Sequence, residues 1–214
     1  QKRYGEISAR LSELSAQFSN NVLDATMGWD KVIENLEELK GLPESALAAA
    51  KQSAENKGLE GYRVALAIPS YLPVMTYCEN RALREEMYRA FVTRASDQGP
   101  NAGKWDNSAI MQEILNLRVE LAHLLDFNCY TELSLATKMA EKPQQVLDFL
   151  DSLAKRSKTQ GEKELAELLD FCQTQFGVNE LEAWDIAFYS EKQKQYLYSI
   201  NDEELRPYFP ENRV

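Results

Sequence analysis

Apolar residues recur at three- and four-residue spacing along nearly all of this 214-residue chain, and at two-residue spacing in one short stretch. The first spacing gathers a stripe on one side of a helix, and the second gathers one face of a strand. The chain is thereby confined to a mainly α fold, an irregular multi-helix bundle with one short strand segment near residues 62–68. Ile7, Leu11, Leu14, Phe18 and Val22 mark a first helix. Asp30 is placed to cap a second, carrying Val32, Ile33, Leu36 and Leu39, which Gly41 ends. Pro43 in a first turn opens an Ala-rich third helix that runs out at Gly58. Glu34, Glu37 and Glu38 read as a solvated face.

Between Tyr62 and Ile68 the period becomes two, with Val64, Leu66 and Ile68 on one side, and Pro69 ends the run. This is the one convincing strand. Ser70 is positioned to cap a short helix through Tyr77, and Asn80 another in which Leu83, Met87 and Phe91 share a face. The stretch SDQGPNAGKWDN has no apolar period and contains Gly99, Pro100 and Gly103, so it reads as an exposed connector. Asn107 or Ser108 starts a long helix through Ile110, Ile114, Leu117, Leu121 and Leu124 that ends near Asp126. Pro143 begins another, taking Val146, Leu150, Leu153, Leu165 and Leu168 to Gly177, with Gly161 as a point of interruption. Trp184 and Asp185 open the last strong helix, the Asp carboxylate accepting from free amides of its first turn. Helices of unequal length without a 34-residue echo argue against a regular repeat array. Three regions follow: a helical hairpin over 1–60, a main helical region over 61–180, and a helix over 181–214 leading onward.

A formal charge of −10 opposes a phosphate backbone, which is neutralised by clustered Lys and Arg, so nucleic acid is not an expected partner. No apolar run approaches the roughly 20 residues that span a bilayer, so neither is a membrane. Cys78, Cys129 and Cys172 are too few and too scattered for a disulfide framework or a paired-Cys zinc site. They read as three reduced cysteines in helical cores, which points to the cytoplasm.

Catalytic chemistry is sparse. The single histidine, His123, shares a helical face with Glu120 at i, i+3, but a catalytic zinc site draws three protein ligands and HExxH is absent. A di-iron carboxylate bundle needs two Glu-x-x-His helices, and a second histidine is missing. Neither GxSxG nor a glycine-rich phosphate loop occurs. The expected catalytic and metal-ligating sets in this segment are therefore empty. The most suggestive surface lies on the last helix, where Asp185, Tyr189, Lys192, Tyr196 and Ser199 fall near one face while Ile186, Phe188, Leu197 and Ile200 fill other positions. Tyrosines on such a face suit either a groove for peptide backbone or an interhelical seam.

Three segments together carry a resemblance: GYRVALAIPSYLPVMTYCENRALREEMYRAFVTRAS, NSAIMQEILNLRVELAHLLDFNCYTELSLATKMAEKPQQVLDFL and AWDIAFYSEKQKQYLYSINDEELRPYFPENRV. They resemble the thimet-oligopeptidase-like zinc metallopeptidases. The resemblance implies the helical N-terminal lobe of a two-lobed zinc peptidase whose deep channel admits short peptides and excludes folded proteins. In that family an HExxH helix and a later glutamate hold zinc, which polarises the scissile carbonyl and activates a water. None of those residues stands in this sequence, so the resemblance places the zinc ligands, and the C-terminal catalytic lobe that would be this segment's partner, outside it. Tyr189 and Tyr196 are the candidate channel-wall residues. A start at Gln1 and an end on Val214 suit an excised segment. The competing expectation is a stand-alone helical module that binds a peptide or a partner protein.

Overall fold

A computed structural model of the chain describes residues 1–199 and Tyr208. Ile200 and the rest of the final region expected over 181–214, Tyr208 apart, lie outside the described residues. The fold is mainly α. In chain order the elements are α1 (Lys2–Met27), β1 (Asp30–Ile33), a 3-10 turn (Leu36–Leu39), α2 (Glu44–Glu55), β2 (Tyr62–Ala65), α3 (Ile68–Tyr77), α4 (Arg81–Val92), α5 (Ser108–Leu124), α6 (Tyr130–Leu135), α7 (Pro143–Phe176) and α8 (Ile186–Tyr198). Two compact units emerge: Gln1–Ala25 with Arg94–Glu164, and Thr26–Thr93 with the chain from Leu165 onward.

In the first unit α1 and α5 run antiparallel, because side chains progressively later in one meet side chains progressively earlier in the other. Arg3 forks onto Glu120 at 2.6 Å and Arg10 onto Glu113 at 2.7 Å. Farther along, the Asn21 amide donates to Asn107 at 2.8 Å, and Asn107 donates to the Phe18 carbonyl at 3.2 Å. The apolar stripe predicted for α1 turns Ile7 and Leu14 inward, and α5 turns in Ile110 and Ala122. Helix α5 does start at Ser108, but the capping acceptor is Asp106, whose carboxylate takes the Ser108 amide at 2.8 Å. Asn107 is thereby freed to brace α1. Leu150, Leu153 and Leu165, expected on a buried stripe of α7, are about half exposed. Gly161 does not interrupt α7, since a glycine within a long helix costs only about 1 kcal/mol against Ala.

The second unit corrects the reading of its opening segment. Asp30–Ile33 is a strand rather than the start of a helix, so the stretch at 62–68 is not the only one. Strands β1 and β2 pair antiparallel in the register Asp30 to Ala65 and Ile33 to Tyr62. The Asp30 carboxylate, instead of capping amides, accepts from Lys57 and Arg63, which hold it below the usual carboxylate range. Gly61 makes the entry to β2 possible: at φ +91° it sits where a Cβ would lie 2.6 Å from the Ile33 carbonyl oxygen. The strand also ends earlier than expected, at Ala65, and Ile68 is the first residue of α3. Ser70 does not cap α3, which begins before it; its hydroxyl accepts the Ala65 amide at 2.9 Å and closes off the strand. Asn80 does cap α4, accepting from the Leu83 amide at 3.2 Å. Leu66, Val74, Leu83, Met87 and Ile33 then meet in one cluster, against which Trp184 and Phe91 also pack. Of the cysteines, Cys78 and Cys172 are buried as expected, but Cys129 is exposed at the entrance of α6.

Candidate functional site at helix α8

Helix α8 is fixed at its first turn by charge. Asn80 ends the preceding turn and starts α4, so Arg81 and Arg84 stand one turn apart on its first residues. Two cations at the positive end of a helix oppose its dipole. Asp185 answers them. Arg81 donates from Nη2 at 2.6 Å and from Nε at 3.1 Å, and Arg84 donates from Nη2 at 2.8 Å. The Glu182 amide donates to the same carboxylate at 3.1 Å. Arg84 and Asp185 are 1% and 0% exposed, and Arg84 spends its remaining donors on the Cys78 and Trp184 carbonyls. Both charges leave water in exchange for these charge-assisted bonds and for a further one from Arg84 Nη1 to the Glu79 carbonyl at 3.4 Å. Burial pushes the Asp185 carboxyl upward, but the two guanidinium groups outweigh it and the net shift is downward. The expectation of a helix-capping carboxylate is corrected: no amide of α8's first turn bonds that side chain.

Beyond that anchor the predicted face divides. Tyr189 turns inward and packs with Leu168, Cys172 and Phe188, its ring 5.4 Å from that of Phe176. Burial pushes its phenol upward. Tyr196, two turns later, is 63% exposed, with the Phe171 ring 5.4 Å away. Lys192 lies over the Phe188 ring at 5.3 Å, and Ser199 ends the helix in the left-handed region at φ +52°. Asp185 and Tyr189 are therefore brought together inside, and Tyr196 is not brought to them. Lys192 and Gln195 reach instead a groove of about 520 Å³, whose other side is Gly41–Glu44 and Tyr77. Its lining offers an ammonium, an amide, a phenol and a carboxylate, which suits binding of a polar chain rather than bond-breaking.

The other sequence candidates do not assemble into a reactive set. Glu120 is occupied by Arg3, and the exposed His123 faces the Asn128 carbonyl at 3.3 Å from Nε2. Among the described residues no three His, Cys, Asp or Glu side chains are grouped to hold a metal ion. Arg81 and Arg84 are not among the residues to which the sequence reading assigns a role. Their signal was available, because two cations directly after a capping Asn are out of place unless a carboxylate from elsewhere meets them.

The family description "Peptidase family M3" matches residues 74–214. Oligopeptidase A of Haemophilus influenzae (strain ATCC 51907 / DSM 11121 / KW20 / Rd) is 79% identical over the whole chain, which covers 31% of that protein. Oligopeptidase A of Escherichia coli (strain K12) is 72% identical over the whole chain, covering 32%. A probable cytosolic oligopeptidase A of Arabidopsis thaliana is 43% identical over 97% of the chain, covering 30%. The chain spans about a third of the length of these curated relatives.

Proposed function

This chain belongs to peptidase family M3, and from that premise we propose that it is the non-catalytic helical portion of a longer zinc-dependent oligopeptidase. In that reading it is part of an N-terminal lobe and walls a channel through which short, unstructured peptides reach a catalytic lobe elsewhere in the polypeptide. One observation carries the reading: full-length identity of 72–79% to two proteins named oligopeptidase A, of which the chain spans only about a third. The residues present do not fit a zinc ion, because the sequence has no HExxH and the described residues group no metal-binding set. The ligands are therefore assigned to the remainder of the polypeptide, and no step of hydrolysis is assigned to this segment.

The contribution of this segment is shape. Helix α8 is held rigidly by the Arg81, Arg84 and Asp185 cluster, and a rigid wall preserves a size limit on substrates. Tyr196 is the residue of α8 that would meet peptide, since most of its ring is open, while Tyr189 would support the wall from beneath. We place the protein in the cytoplasm; no described helix is long and apolar enough to cross a membrane.

The test compares the longer polypeptide with the 214-residue chain on a quenched fluorescent peptide of about ten residues, short enough for a channel to accept. The longer protein should cleave it, lose activity to a chelator and regain it with zinc, and the 214-residue chain should leave it intact. Zinc-dependent hydrolysis by the short chain alone overturns the reading. Tyr196→Ala in the longer protein should change KM more than zinc content; unaltered KM removes Tyr196 from the channel wall.

A further inference from the structure

We infer that the groove between α1 and α5 receives a helix from the part of the same polypeptide lying outside these 214 residues, with an acidic side chain of that helix set against Arg118. The inference rests on the reading of this chain as part of a longer peptidase.

The groove holds about 480 Å³ and is lined on one side by Ser15, Phe18 and Ser19 of α1 and on the other by Met111, Leu115 and Arg118 of α5. Met111, Leu115 and Val119 follow one another at four-residue steps along α5 and are all about half exposed. Such a row is a ridge, and the small serines opposite it leave room for the ridge of another helix to settle. Two antiparallel helices with an open apolar seam are the unfinished part of a bundle, which a third helix completes. An isolated exposed leucine needs no explanation, whereas a contiguous apolar seam marks an interaction surface.

Charge identifies the occupant further. Arg3 and Arg10, on the same pair of helices, each fork onto a glutamate. Half-buried Arg118 lies over the Tyr130 ring at 4.9 Å and meets no carboxylate among the described residues. A guanidinium at the rim of an apolar seam is matched by a carboxylate on the incoming helix. The source of that helix follows from length, since relatives more than 70% identical along the whole chain are about three times as long. The seam on α5 from Met111 to Arg118 runs about 10 Å at 1.5 Å per residue, so about two helical turns fill it.

Met111 is itself the probe, in the longer polypeptide without any substitution. Hydrogen peroxide converts an accessible methionine to its sulfoxide, and mass spectrometry of the Met111 peptide gives its rate against free methionine in the same solution. A filled groove should slow Met111 by about tenfold or more, independently of protein concentration, whereas an open groove leaves it within about threefold of free methionine. The second result overturns the inference and would follow if the occupant were a separate protein lost on purification. Protection that grows with protein concentration also overturns it, because the occupant would then be a second copy. Arg118→Glu should accelerate Met111 oxidation where Arg118→Lys does not; equal rates in the two variants remove the acidic contact. Peptide hydrolysis by the same preparation separates the two readings. An active enzyme with unprotected Met111 loses the groove helix alone, and an inactive protein with protected Met111 loses the peptidase reading alone.

Discussion

The second unit gathers two apolar clusters, one around Met87 and one around Cys172, while the first contributes no residue to either. In the first, Ile7 and Leu14 of α1 turn inward while Arg3 and Arg10 of the same helix pair with glutamates at the surface, and Leu115, Leu147, Phe149 and Leu150 remain more than half exposed. Exposed ion pairs are each worth about 0–1 kcal/mol, and a buried, fully bonded pair costs several to break, so the means of fastening differ as much as the cores. One chain thus holds a unit with an extensive buried core and a unit that buries few side chains, although both leave large apolar side chains such as Leu72, Val92, Leu115 and Phe149 exposed.

The largest effect is expected where charge is most deeply buried. Asp185→Ala strands Arg84 and should destabilise the second unit by about 3–5 kcal/mol, read by chemical denaturation. Because the folded carboxyl titrates below its unfolded value near pH 4, its contribution is complete above about pH 4 and is lost as pH falls through the folded pKa. The Ala variant should lack that acid-sensitive step.

Next in size is a pair of truncations that sets the two units against each other. Met87→Ala should cost about 2–5 kcal/mol, whereas Leu115→Ala should cost under about 1 kcal/mol in the 214-residue chain and more in the longer polypeptide. Equal costs in the short chain would erase the contrast. Gly61→Ala should follow at about 1–3 kcal/mol, seen as a lower Tm, since both the positive φ and the Ile33 carbonyl resist a Cβ. The smallest effect belongs to Arg10→Ala, a slight fall in Tm that should vanish in 1 M salt.

Long helices were legible in the sequence because their signal is local. The stripe through Ile7 and Leu14 and the run from Pro143 to Phe176 are set by neighbours three and four residues away. Strand β1 was not legible, since Val32, Ile33, Leu36 and Leu39 also satisfy a helical spacing. What overrides it is pairing with Tyr62–Ala65, about thirty residues later, and periodicity carries no information about so distant a partner. The same limit governed the α8 site. Asp185 before a helix reads as a cap, and only the arrival of Arg81 and Arg84 from a hundred residues upstream turns its oxygens elsewhere. Tyr189 and Tyr196 share one helical face in the sequence, yet Phe176 packs on the first while the second stays open.

Cys172 carries a consequence for kinetics. Burial pushes its thiol up to about 11, so at pH 7 it stands as the neutral thiol rather than the thiolate that reacts with alkylating agents. Cys129, exposed on another segment, is consumed first and marks the start of the clock. Cys172 is buried with Leu168, Phe188 and Tyr189, so its labelling should require α7 and α8 to part there. The thiol is therefore expected to count openings of α8, its labelling half-time measuring how often that helix moves off α7.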